Sequence, residues 1–195
     1  MAYTTIQAAK DYLGITTTTD DSLIGGFISS AQAWIDRHCH RTFEATADTE
    51  RTFDALYDVI GDALVLDRDL ASITSITNGD GTVLTAAQYV TEPRNAVVDG
   101  LPIQEIRIRS DAGITWTYGD YHENAITVDG PWAYSLSVPY DVEQACMRLT
   151  AWLYRQRENR TGDDDRTVIA GNATILPTTM PSDAAAYLKP YRRKQ

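Results

Sequence analysis

The chain is poor in the residues that most often carry chemistry, with two cysteines and three histidines among 195 residues. Cys39 and Cys146 lie far apart in sequence, so they form no disulfide framework, and reduced thiols of a cytosolic protein are expected. Basic charge is scarce too: 17 Lys and Arg stand against 27 Asp and Glu, for a net charge of −10. A general DNA or RNA binder needs a basic footprint to displace counterions, and this balance excludes one. An acidic wall that a passing nucleic acid slides along remains compatible with it. No run approaches 18 apolar residues, so no membrane span is expected. The start, "MAYTTIQAAKDYLG", lacks the basic and apolar regions of a signal peptide. G-x-S-x-G, P-loop and G-x-G-x-x-G patterns are all missing, which removes the commonest nucleophile and phosphate motifs.

What is present is helical at both ends and β-rich between. Thr4 or Thr5 caps a short helix over "TIQAAKDYL", with Ile6, Ala9 and Leu13 on one side and Gly14 as its stop. Asp20 or Asp21 caps a second helix. Its apolar positions, Leu23, Ile24, Phe27, Ile28, Ala31, Trp34 and Ile35, keep a 3.6-residue period. Gly25 and Gly26 fall outside that stripe, where they permit a neighbour to pack closely. From about Thr49 to Tyr134, short β-branched and aromatic runs alternate with turn residues: "ALVLD", "SITSIT", "TVLT", "QYVT", "EIRIRS", "GITWTYG" and "NAITVDG". The turn "NGDG" at 78–81 signals a hairpin, and "EIRIRS" points Ile106 and Ile108 inward with Arg107 and Arg109 outward. Pro139 opens a third helix whose stripe is Val142, Ala145, Cys146, Leu149, Trp152 and Leu153. The fold class expected is α+β. A small antiparallel helix bundle carries an inserted, sandwich-like antiparallel β module and a flexible C-terminal arm. The segments are 1–48 for the first helices, 49–136 for the β module, 137–160 for the third helix, and 161–195 for the arm with a short terminal helix.

The stretch Arg37-His38-Cys39-His40-Arg41 tests for a metal site or a Cys–His nucleophile. Successive helical residues diverge by about 100°, so the three side chains do not converge on one ion. Cys39 instead continues the apolar stripe, and Cys146 sits inside the next one. Two packed thiols and two helix-terminal histidines are the preferred reading, and a cysteine- or metal-dependent enzyme is the remote one. "NGDG" and "GDDD" (162–165) lack the ligand spacing of a calcium loop and read as solvated turns. Asp67 and Asp69 read as turn and edge residues rather than an acid–base pair. Trp34 and Trp152 belong to helix stripes. Trp116 and Trp132 are either core or interface packing, or stacking platforms of a carbohydrate- or ligand-binding β module. The basic end, Lys189, Arg192, Arg193 and Lys194, is either solvated or docks on an acidic partner.

Two stretches resemble a known family. Tyr12-Leu13, Asp20-Asp21, Leu23-Ile24 and Arg41-x-Phe43 take the places of the opening motif of tailed-phage head–tail connector (adaptor, or head completion) proteins. Gly130, Trp132, Tyr134, Pro139, Ala145, Leu149, Leu153 and Arg155 match the second hallmark. That hallmark is a G-x-W-x-Y turn followed by a helix ending in Leu and Arg, spaced here as Leu153-x-Arg155 where the family has "L-x-x-R". "LDRDLASITSIT" is similar to the β insertion of the larger members. His38-Cys39-His40 stands where many relatives have a Thr-Gly turn, a helix stop. The resemblance covers most of residues 5–158 and implies a structural role in the virion, without enzymatic activity, cofactor or metal. It implies a ring, commonly of twelve subunits, assembled beneath the portal protein at the head–tail junction. Such a ring extends the DNA channel without reading sequence and faces a stopper or tail-completion protein. The chain would be made in the host cytoplasm. Tyr187, Lys189, Tyr191, Arg192, Arg193 and Lys194 are the residues expected to dock on the portal.

Overall fold

The computed structural model describes residues 2–45, 47–161, 168–170, 173–175 and 180–193. It divides into two compact units, Arg41–Ser137 and, together, Ala2–His40 with Val138–Gln195. The first holds strands β1 (Asp48–Phe53), β2 (Val59–Ile60), β3 (Ala63–Leu70), β4 (Ser75–Thr77), β5 (Tyr89–Glu92), β6 (Ile103–Ile108) and β7 (Ile126–Pro131). The second holds helices α1 (Ile6–Leu13), α2 (Asp21–Cys39), α3 (Tyr140–Thr161) and α4 (Ser182–Leu188), a 3-10 turn at Lys189–Tyr191, and a hairpin of β8 (Val168–Ala170) with β9 (Ala173–Ile175). The chain is α+β, a helix bundle with an antiparallel β module inserted between α2 and α3. The arm expected over 161–195 falls in good part outside the described residues; its terminal helix is α4.

Helix ends follow the local chemistry. The Thr5 hydroxyl accepts the Ala8 N–H at 3.1 Å, and Gly14 stops α1 in the left-handed region at φ 73°. The caps expected at Asp20 and Asp21 are used differently. Asp20 stands at the cap position of α2 without a side-chain cap bond, because its carboxylate accepts the Tyr154 hydroxyl of α3 at 2.6 Å. Asp21 pairs with Lys10 of α1 at 2.7 Å. Both carboxylates thus tie helices together. The same pairing adds Lys10 to the face expected of α1. Ala9 and Lys10 are its buried residues while Ile6 is exposed, because a paired ammonium lets the lysine stem pack as hydrocarbon.

In the helical unit, Ile24, Ile28, Ala31, Ile35 and Cys39 form the buried stripe of α2. Val142, Ala145, Cys146 and Leu149 of α3 are buried likewise. Trp34 and Trp152 are half-buried, with ring centroids 5.8 Å apart, and Phe27 meets Tyr154 edge-on at 6.4 Å. A Cβ on Gly25 would touch Ile6 at 3.6 Å, so close packing by a neighbour occurs there; Gly26 faces open space.

In the β unit, a three-stranded sheet β1-β7-β4 and a four-stranded sheet β2-β3-β6-β5 are both antiparallel. Phe53, Leu64, Leu66, Leu70, Ile76, Ile106, Ile126 and Val128 from the two sheets share one buried cluster. Ile106 and Ile108 face inward, while Arg107 and Arg109 stay partly exposed, as the alternation in "EIRIRS" predicts. "TVLT" forms only a bridge, Thr77 with Val83, across the expected turn at 78–81. "GITWTYG" is not a strand. Side chains replace its ladder: the Asn78 amide donates to Thr115 O and accepts from the Thr117 N–H, and Trp116 Nε1 donates to Asp62 O. Gly79 allows this crossing, since a Cβ there would lie 2.3 Å from Thr117 O.

Candidate functional site

The stretch Arg37–Arg41 occupies the last turn of α2 and its exit. Cys39 is fully buried, His38 half-buried and His40 exposed, so the three side chains diverge. His40 closes the helix with φ 55° and ψ 38°, its N–H donating to Asp36 O. Histidine therefore fills a left-handed stop that glycine fills without strain. Burial pushes the Cys146 thiol up to about 12, which keeps it protonated and inert. Both cysteines are free thiols. Among the described residues no group of three or more His, Cys, Asp or Glu is placed to hold a metal ion. His122 belongs to the β unit, where its Nδ1 lies 2.9 Å from Asp54.

The C-terminal segment folds back on α2 and α3. Ala184 and Leu188 are buried, and the Arg193 N–H donates to Cys39 O at 3.0 Å. Of the expected docking residues, Tyr187 lies under the Arg148 guanidinium at 5.2 Å, and Arg148 also pairs with Asp183 at 2.6 Å. The Tyr191 hydroxyl donates to Asp141 at 3.5 Å. Both tyrosines anchor the segment to its own unit. Lys189 and Arg192 are exposed, and Lys194 lies outside the described residues. The segment also brings Arg192 close to His38, whose pKa falls below the ordinary histidine value through burial first, then the charges of Arg192 and His40. Arg192 and His38, far apart in the chain, thus come near each other at the end of α2. Nothing local in the sequence signals that pairing, because the partners meet only in the fold.

The two family-like motifs contribute to one brace in the β unit. Arg41 pairs with Asp69 at 2.7 Å, with both side chains buried, and its guanidinium lies 5.2 Å over the Tyr134 ring. Phe43 packs on the same ring at 5.6 Å. Gly130 is required where it stands, as a Cβ would lie 2.4 Å from Ser72 O. Asp69 is buried rather than solvated, and its desolvation is tolerated because a guanidinium meets it. Asp67, on the same strand, is exposed and pairs with Arg51. Trp132 donates to Thr49 O at 2.7 Å and packs between Phe53 and Arg51, and Trp116 is likewise half-buried against the core. Asp80 turns inward on its own loop, accepting the Thr82 N–H, which holds its carboxyl below the usual range. The "GDDD" run lies outside the described residues.

Paired helix stripes, a braced β module and aromatic rings engaged in packing define an α+β protein built around its own cores. The chain belongs to the head completion protein family, whose model matches residues 2–194. That membership makes it a structural protein of the phage head–tail junction. Its fold is similar to that in the neck of an empty gene transfer agent particle computed with C6 symmetry. There the identity is 17%, the TM-score 0.57, and the match covers 97% of this chain and 89% of that one. The neck of a native particle computed with C12 symmetry gives 16%, 0.56, 97% and 88%. The virion of a native gene transfer agent particle gives 17%, 0.58, 97% and 89%. At these identities the likeness is one of fold. Comparison with curated proteins finds no match. No helix among the described residues is long and apolar enough to cross a membrane.

Proposed function

We propose that the chain is a non-enzymatic ring subunit of the phage neck, a dodecamer seated between the portal and a stopper or tail-completion protein. The ring continues the channel through which DNA leaves the head. The observation that carries this reading is the family match along residues 2–194. The C12 symmetry of one similar neck agrees with it. The net charge of −10 suits a channel wall, because phosphates are repelled and DNA passes without sticking. Lys189 and Arg192, exposed on a segment that Tyr187 and Tyr191 hold in place, supply a cationic edge for docking on the portal.

Co-sedimentation of the purified protein with portal rings from the same genome, imaged by electron microscopy, tests the proposal. A collar of added density with countable subunits is the expected result. A chain that stays monomeric and leaves the portal bare would refute it.

A further inference from the structure

Two connections of the β unit meet at a tyrosine-rich surface that the core does not use. The first follows β1 and carries Leu56 and Tyr57; the second precedes β7 and carries Tyr118, Tyr121 and His122. Tyr57 is 80% exposed and Tyr121 78%, and Leu56 and Tyr118 are exposed as well. His122 stands between two of the rings. Its centroid lies 5.7 Å from that of Tyr57 and 5.9 Å from that of Tyr118, edge-on in both cases.

Hydrogen bonds hold this surface in place. Asp54 accepts the N–H groups of Leu56 and Tyr57 and lies 2.9 Å from His122 Nδ1. The Ala55 N–H donates to His122 O at 3.0 Å, joining the two connections backbone to backbone. The Thr52 hydroxyl donates to Asn124, and Gly79 bridges Tyr118. Tyrosines on so fixed a frame lose little freedom on docking, because each has few torsions and an ordered backbone.

Charge decides the guest. The sequence has no lysine or arginine from Thr52 to Asp67 or from Ser110 to Met147, so neither connection contributes one. Arg51, the basic residue just before the first stretch, is engaged with Asp67 and with the Trp132 ring. Asp120 is exposed and makes no hydrogen bond or ion pair among the described residues. Glu123 is exposed too, 3.7 Å from His122 Nε2. Ring faces and carboxylates attract cations alike, and a guanidinium can stack on one while bonding the other. The chain already uses that arrangement three times. Arg41 lies on Tyr134, Arg51 on Trp132 and Arg148 on Tyr187, each arginine also held by an aspartate. The exposed tyrosines with Asp120 and Glu123 repeat the accepting half of it, and no arginine comes from their own loops.

We propose that the surface of Tyr57, Tyr118 and Tyr121 docks an arginine-bearing segment of a partner protein, guanidinium on tyrosine and against Asp120 or Glu123. The contact belongs to the single chain and stands whether or not the ring reading holds.

The test is a titration of the isotope-labelled full chain with an acetylated, amidated tetra-arginine peptide at physiological ionic strength, followed through backbone amide resonances. Signals of residues 54–58 and 118–124 should shift first and saturate. A tetra-lysine peptide should bind at least about fivefold more weakly, since an ammonium cannot stack. The double variant Tyr57→Ser, Tyr121→Ser should weaken arginine binding by a similar factor with the rest of the spectrum unchanged. Asp120→Asn with Glu123→Gln should weaken it as well and lower its salt dependence. Equal affinity for the two peptides, or shifts spread over the whole acidic surface and indifferent to the tyrosine changes, would reduce the effect to bulk charge and overturn the proposal. The same signals moving with protein concentration alone would make the occupant a second copy. Signals that move with a soluble glycan and not with the peptide would make it a sugar. Either result overturns the proposal too.

Discussion

His40 shows how much conformational work a single position can do. At φ 55° it holds a backbone shape that costs an L side chain about 1 kcal/mol and glycine almost nothing. His40→Gly should therefore raise stability by about 1 kcal/mol, read as a higher denaturant midpoint at unchanged slope. A lower midpoint would mean that the imidazole makes a contact outweighing the strain. His38 gives a pH signature. Its folded pKa lies below the ordinary 6.5, so the unfolded chain binds more protons and stability rises with pH. The contribution is neutral above the ordinary histidine range and becomes destabilising as pH falls through 6.5 toward the folded value. Asp36, whose pKa is raised mainly by burial, acts in the opposite sense and nearer the carboxylate range. His38→Gln should flatten the fall in melting temperature between about pH 7 and 5. An unchanged fall would place the titration elsewhere.

Between elements, polar pairs outrank local caps. Asp20 and Asp21 stand where a helix start wants a cap, yet each reaches across to Tyr154 or Lys10. Sequence periodicity read the α2 stripe correctly because 3.6-residue spacing is a local property that packing only exploits. It left Lys10 out of the α1 face, because the burial of a lysine depends on a carboxylate from another helix. It also expected a strand at "GITWTYG", where the Asn78 amide and the Trp116 indole hold an irregular loop by side-chain bonds. β1, "DTERTF", escaped notice because most of its residues are exposed and polar. Of the β unit's braces, the buried Arg41–Asp69 pair is the one whose loss leaves a lone charge inside. Asp69→Ala should cost about 3–5 kcal/mol by thermal or chemical unfolding. A cost below about 1 kcal/mol would show that water reaches the guanidinium.

At the scale of the whole molecule, the C-terminal segment has a buried face and an exposed one. Ala184 and Leu188 pack into the helical unit, whereas Lys189 and Arg192 face solvent. Removing residues 181–195 should lower stability by about 3 kcal/mol, from lost apolar burial, and abolish portal binding. The double charge reversal Lys189→Glu, Arg192→Glu should abolish portal binding with the melting temperature unchanged. Portal binding at wild-type strength in the charge reversal would assign the segment a purely structural part. The sequence by itself determined the α+β class, the helix stripes, the inward isoleucines of β6 and the acidic balance, since each follows from local periodicity or from composition. Only the tertiary structure decided that Arg41, Phe43 and Tyr134 form one brace, that Asp69 is buried, and that Arg192 stands near His38. Those meetings join residues tens to more than a hundred positions apart, and which distant groups pair is set by how the elements pack.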